Sequence, residues 1–157
     1  MEKEMVTIRN YQPSDLEAIE RIHDAARKIE LHLAGLEAVF LSLRVAAERE
    51  GLFEYPGLFV AEQDGAIVGL AACTEDELAW LYVDPAHMRR GIGRSLVNYA
   101  VQKYPGIHEL EVLVGNEPAK ALYEQAGFEV AHTAAGKMPG NESFSVRVYV
   151  MTRRIDG

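Results

Sequence analysis

Between Trp80 and Ala100 the chain reads WLYVDPAHMRRGIGRSLVNYA. An apolar run ends at Val83, Asp84-Pro85 stops it, and a helix-like pattern begins near Ile92. A strand followed by a helix brackets a turn in which Gly91 and Gly93 let the backbone come close to a ligand. The free N–H groups and the positive end of the helix point out of that turn. Such a turn is an anion cradle. Phosphate or pyrophosphate is the expected guest, and Arg89, Arg90 and Arg94 add charge around it. A lone G-x-G pair serves equally as an ordinary strand-to-helix turn, so the guest has to be identified from what surrounds it.

Outward from that stretch, the spacing of apolar residues predicts the scaffold. Val6 to Tyr11 alternates like a short strand, and Ser14 or Asp15 can cap a helix carrying Leu16, Ile19, Ile22, Ala26 and Ile29 at three-to-four spacing. A second helical pattern covers about Leu36 to Arg49 and ends at Gly51. Leu58–Glu62 and Ala66–Cys73 read as strands joined by a tight Asp64-Gly65 hairpin. Leu78–Val83 is a further strand, and a helix runs from Ile92 to Lys103. A strand follows from His108 to Val114, then a helix from Asn116 to Ala126 ended by Gly127. Phe128–His132 and Ser143–Thr152 finish as strands around a turn-rich loop. The expected fold is mixed α/β, with a central, mostly antiparallel sheet of about seven strands flanked by about four helices. No repeat or linker divides the chain, which reads as one domain over residues 1–157.

Composition bounds the function. A formal net charge of -8 argues against a nucleic-acid binder, whose phosphate-contacting face is normally basic. From Glu50 to Met88 there are eight acidic residues and no Lys or Arg, directly before the arginine-rich turn. That pattern suits a cationic substrate on one side of a site and an anionic ligand on the other. The single cysteine, Cys73, forms no internal disulfide, and no Cys/His pair has zinc-ligand spacing, so no metal is expected. The opening MEKEMVTIRN has no apolar leader core, and no run reaches the length of a membrane span. A cytoplasmic location without membrane contact is the expectation.

Other phosphate cradles fit poorly. Nothing matches G-x-x-x-x-G-K-[ST], and a dinucleotide G-x-G-x-x-G would need glycine where Leu96 stands. Glu111 does lie twenty residues after Gly91, near the usual ribose-binding acid, but no second mononucleotide-binding half follows.

The stretch VDPAHMRRGIGRSL, followed by NEPAKALYEQAGFEV, resembles the GNAT superfamily of N-acetyltransferases. Its signature is R/Q-x-x-G-x-G/A after a strand, then an N-x-x-A-x-x-L-Y-E-x-x-G-F helix. Met88 occupies the first R/Q slot, so a side-chain phosphate contact there falls to Arg89 or Arg90. The resemblance implies acetyl-CoA as cosubstrate, its pyrophosphate on the main chain of Met88, Arg89, Arg90, Gly91, Ile92, Gly93 and Arg94. It implies pantetheine along Leu81, Tyr82 and Val83, with Asn116 helping to hold the cofactor and Tyr123 beside the CoA sulfur.

An N-acetyl transfer needs a neutral amine, a polarised thioester and a proton for the departing thiolate. Tyr123 is the candidate acid, on nearly the same helical face as Asn116, which also suits a helix cap. Strict alternation puts Glu75, Glu77, Ala79, Leu81 and Val83 on one face, opposite Trp80 and Tyr82. Glu77 falls where protein-acetylating family members carry a glutamate base, and it would act directly or through a water; His87 is a weaker rival. The family's acceptor enters over about Ala25–Leu52 and Thr133–Glu142, where Glu30, Glu37, Glu48, Glu50 and Glu142 suit a cationic small-molecule or peptide amine. A homodimer stays open. The competing readings are a non-catalytic acyl-CoA sensor on the same fold and a nucleotide- or dinucleotide-binding domain.

Overall fold

In the computed structural model, which describes residues 6–138 and 141–155, Gln63 pairs with Ala66 around Asp64 and Gly65. Their φ values of 52° and 80° are those of a two-residue hairpin turn, as the Asp-Gly pair predicts. This turn sets β2 (Gly57–Gln63) against β3 (Ala66–Cys73). β1 (Val6–Asn10) pairs with β2, and β4 (Leu78–Val83) with β3, all antiparallel. A second antiparallel sheet has the order β5-β7-β6, from β5 (Glu109–Leu113), β6 (Glu129–Met138) and β7 (Asn141–Thr152). The leader reading rests largely on Met1 to Met5, which lie outside the described residues, as does the side chain of Glu142. No helix among the described residues is long and apolar enough to cross a membrane.

Seven strands are therefore present among the described residues, but they do not form one continuous sheet. Among the described residues one parallel bridge, Glu77 to Glu109, links the strands of the two sheets. Carboxylates of Glu77, Glu109 and Glu111 converge there, and like charges on neighbouring strands oppose further pairing. Beyond the bridge β4 and β5 part.

The helices are α1 (Leu16–Leu33), α2 (Leu43–Glu50), α3 (Ile92–Lys103) and α4 (Glu117–Gln125). The helix expected over Leu36–Arg49 is broken. A single 3-10 turn, Glu37–Val39, precedes α2, whose Leu43 N–H donates to Asp24 Oδ1 at 2.8 Å. The acceptor supplied by α1 fixes where α2 begins. The loop expected over residues 133–141 is also corrected: Ala134, Ala135 and Gly136 pair with Val148, Arg147 and Val146. Those small residues carry no strand signal of their own, and the β-branched run of β7 imposes the pairing.

The four-stranded sheet lies between two helical layers. On one face Phe59, Val68, Ala71 and Leu78 pack with Ile92, Leu96 and Ala100 of α3. On the other, Val60, Leu70, Ala72 and Trp80 pack with Ile19 and Ile22 of α1 and Leu43 of α2. Burial on both faces explains why β3 reads as an almost unbroken apolar run. Each wholly buried Leu or Ile here contributes roughly 1.5–3 kcal/mol relative to exposure.

Candidate active site

β4 carries a bulge that decides which of its side chains share a face. Trp80 pairs with Ala72 and Leu78 with Cys73, so Ala79 is an extra residue without a partner. Alternation restarts there. Leu78, Leu81 and Val83 pack on the α3 side, whereas Trp80 and Tyr82 pack on the α1–α2 side. Glu77, one step before Leu78, therefore falls on the face of Trp80 and Tyr82. The face expected from strict alternation, shared with Leu81 and Val83, is corrected by this one inserted residue. Glu109 and Glu111 alternate with Leu110 and Val112, which pack on the α3 side, so all three carboxylates look toward α1 and α2. Burial, reinforced by Glu111, Glu109 and Asp76, pushes the Glu77 carboxyl above its ordinary value.

The gap between β4 and β5 opens into a cavity of about 240 Å³. Its walls come from β4, β5, α4, α1, α2 and the β6–β7 hairpin, so it runs from the α4 side through the gap to the α1 side. Leu81 and Tyr82 line it, as do Asn116 and Tyr123; Glu111 lines it, whereas Glu77 and His87 do not. Sequence reasoning weighed Glu111 only as a ribose ligand. Its twelve-residue separation from Tyr123, one strand-turn-helix step, was the available signal.

Tyr123 is 8% exposed, with its ring edge-on to Phe128 at 6.3 Å between centroids. Its hydroxyl has no hydrogen-bond partner among the described residues. Burial first, then Glu30 and Tyr82, push its pKa far upward, which keeps the phenol protonated. Asn116 Oδ1 accepts from Ala119 N–H at 3.4 Å and caps α4, while its Nδ2 donates to Glu30 Oε2 at 3.1 Å. The same residue therefore ends one element and ties it to another. Glu30 also pairs with Arg27, and Glu50 adds a further carboxylate to the wall. Of the other expected acceptor-side acids, Glu48 is exposed and Glu37 pairs with His32 at 2.7 Å.

At the head of α3, Gly91 has φ 80° and is exposed, and Arg89 has φ 65°. The first helical bond of the turn runs from Ser95 N–H to Gly91 O, at 3.0 Å. The N–H groups of Ile92, Gly93 and Arg94 donate to no group among the described residues, which is the anion-cradle arrangement. The side chains of Met88, Arg89, Arg90 and Arg94 are exposed around it. Gly93 plays a different part from Gly91. It is buried, and a Cβ there would lie 3.0 Å from Leu122 Cδ2, so this glycine lets α3 approach α4. His87, in the 3-10 turn ahead of the cradle, stands 3.4 Å from Asp84, which also holds Arg21 at 3.0 Å.

Residues 54–130, which span β2 through the start of β6, match the family described as Acetyltransferase (GNAT) domain. The matched segment belongs to the GNAT superfamily. Its GNAT relatives include the peptidyl-lysine N-acetyltransferase YiaC of Escherichia coli (strain K12), 38% identical over 77 residues, or 48% of this chain and 52% of that protein. The mycothiol acetyltransferase of Acidimicrobium ferrooxidans is 36% identical over 59% of this chain and 34% of its own length. The chain thus spans about half the length, or less, of these curated relatives. Among solved structures, the ribosomal-protein-S18-alanine N-acetyltransferase of Escherichia coli aligns over 98% of this chain and 96% of its own. That alignment has a TM-score of 0.69 and 26% identity.

Proposed function

We propose that this chain transfers an acetyl group from acetyl-CoA to a primary amine of a cationic acceptor. The observation that carries this reading is the through-going cavity, with an unpartnered Tyr123 hydroxyl on its wall and a cradle of free N–H groups at the nearby head of α3. The residues fit the cosubstrate. Ile92, Gly93 and Arg94 offer main-chain donors to a pyrophosphate, Arg89 and Arg90 add charge around it, and Leu81 to Val83 offer strand backbone to an extended, amide-bearing chain. Acetyl-CoA supplies the activated acetyl thioester.

What the chain's own residues do follows from their placement. Glu30, Glu50 and Glu111 draw a cationic amine to the α1 end of the cavity. Strand backbone near Val83 is suited to polarise a carbonyl oxygen. Tyr123, held protonated, gives its proton to the departing thiolate as the new amide C–N bond forms and the C–S bond breaks. Glu77 stands off the cavity wall, so a base role for it requires an intervening water. The acceptor is a small molecule or a peptide amine, consistent with relatives named for lysine side chains and for a protein alanine terminus.

Titration calorimetry with acetyl-CoA, CoA and NAD tests the ligand. Micromolar-range binding of the first two and none of NAD is expected, with a rise in melting temperature by mass action. No binding at millimolar acetyl-CoA would sink the reading. Thiol release with a panel of amines separates an enzyme from a non-catalytic acyl-CoA sensor.

A further inference from the structure

His23 is a buried titratable group on the cavity wall that the mechanism above leaves unused. It is 2% exposed, on the face of α1 that carries Ile19 and Ile22. Its ring lies 5.4 Å from that of Trp80 and edge-on to Tyr82 at 4.8 Å. Nδ1 is 2.9 Å from Asp24 Oδ1, which is itself fixed by the Leu43 N–H. An ionised carboxylate only accepts, so Nδ1 carries the ring proton and Nε2 keeps its lone pair. Nε2 has no hydrogen-bond partner among the described residues. Nε2 is not sealed off in the core but open to the cavity that His23 lines, where water or an incoming amine meets it. The ring thus has one nitrogen locked by a carboxylate and faces the space where an amine would enter.

We propose that His23, held by Asp24, is the base that takes the proton from the acceptor ammonium; this rests on the transferase reading above. The N–H bond of R–NH₃⁺ breaks, its proton forms a new bond to Nε2, and the nitrogen lone pair becomes free to attack. The imidazolium charge is balanced by Asp24, and the proton passes to solvent after product leaves. No oxidant or metal enters the balance.

The charged and titratable groups around the ring are Asp24, Arg27 and Glu30 on α1, Glu50 on α2, and Tyr82 on β4. Tyr55 and Glu77 lie toward Trp80, and Glu111 and Lys137 line the same cavity. Burial outweighs the opposing pull of Asp24 and, with Arg27, holds the ring below its ordinary value of 6.5. The ring is then neutral and able to accept a proton at pH 7, and activity falls as pH drops through that lowered value.

His23→Asn decides the matter, because the amide nitrogen can reproduce the bond to Asp24 while removing the base. The assay follows CoA release from acetyl-CoA with a peptide that has a free N-terminal alanine and one internal lysine. The expected result is a fall in kcat on the order of 100-fold and loss of the low-pH limb, with acetyl-CoA affinity and denaturation midpoint unchanged. Added imidazole should partly restore turnover in His23→Ala. An Asn variant with the parent's rate and pH profile would overturn the proposal. Independently of any variant, ¹⁵N spectra of the unmutated protein should show the Nδ1–H tautomer, and an Nε2–H tautomer would also overturn it. If the protein binds no acetyl-CoA, the transferase reading fails by itself, and the tautomer still decides whether His23 presents a base to the cavity.

Discussion

Tyr123→Phe separates chemistry from packing at the heart of the site. The ring is 8% exposed and packs against Phe128, so truncating it to alanine would cost roughly 3–5 kcal/mol. The hydroxyl is a different matter. It has no partner among the described residues, so removing it orphans no buried group, and a change in stability within about 1 kcal/mol is expected. If the phenol supplies the proton to the thiolate, turnover falls by on the order of 100-fold, about 2.7 kcal/mol of lost transition-state stabilisation, while acetyl-CoA affinity holds. CoA release can be followed with a thiol reagent in the native protein. Cys73 is buried and its thiol is pushed up to about 11, so it contributes little signal. Urea denaturation of both proteins provides the stability arm. A folded phenylalanine variant with parental turnover refutes the acid role, and a loss of several kcal/mol refutes the account of an unpartnered hydroxyl.

The two glycines of the cradle should fail differently. Gly91→Ala has open space for its Cβ but a φ of 80°, so it should cost about 1–2 kcal/mol of backbone strain and weaken CoA binding, whereas parental values for both would remove the cradle from that turn. Gly93→Val presses on Leu122 and should lower the denaturation midpoint by about 1–3 kcal/mol through overpacking; an unchanged midpoint would contradict the close α3–α4 approach. Asp15 accepts two 2.9 Å hydrogen bonds from Arg9, which hold its carboxyl below the usual 3.8. That stabilisation is present above pH 3.8 and disappears as pH falls through the lower folded value, so the stability gap between the parent and Arg9→Gln should close in acid; a gap independent of pH would refute it. Glu77 has the opposite sign. Its raised pKa makes ionisation in the folded state unfavourable, so Glu77→Gln should raise stability at neutral pH, and turnover losing its low-pH limb in this variant instead of His23→Asn would return the base role to the carboxylate.

Residues that act through local rules were legible in the sequence. The Asp64-Gly65 hairpin, the span of α3 from Ile92 to Lys103 and the limits of β3 and β4 follow from turn chemistry and periodicity within a few residues. The break in the Leu36–Arg49 pattern was not legible, because the Asp24 carboxylate that starts α2 is nineteen residues away. His23 escaped for the same reason. In sequence it is one polar residue beside Asp24 on an apolar helix face, and only the fold sets Trp80 and Tyr82 around it.

Glu77 shows how one unpaired residue redirects a functional argument. Strict period-two counting from Val83 carries it to the α3 face, and no residue type between Glu75 and Val83 announces otherwise. Ala79 is small enough to sit unpaired opposite the Ala72–Cys73 step, and from that point every side chain toward the N-terminus changes face. The exchange has two effects at once. Leu78 is turned into the α3 core, where it is 4% exposed, and Glu77 is turned toward Glu109 and Glu111. Burying the leucine stabilises the sheet, and gathering the carboxylates ends its pairing with β5. The same bulge that moves Glu77 off its expected face therefore helps to open the gap that the cavity occupies, which makes Ala79, a residue with no chemistry of its own, a determinant of the site.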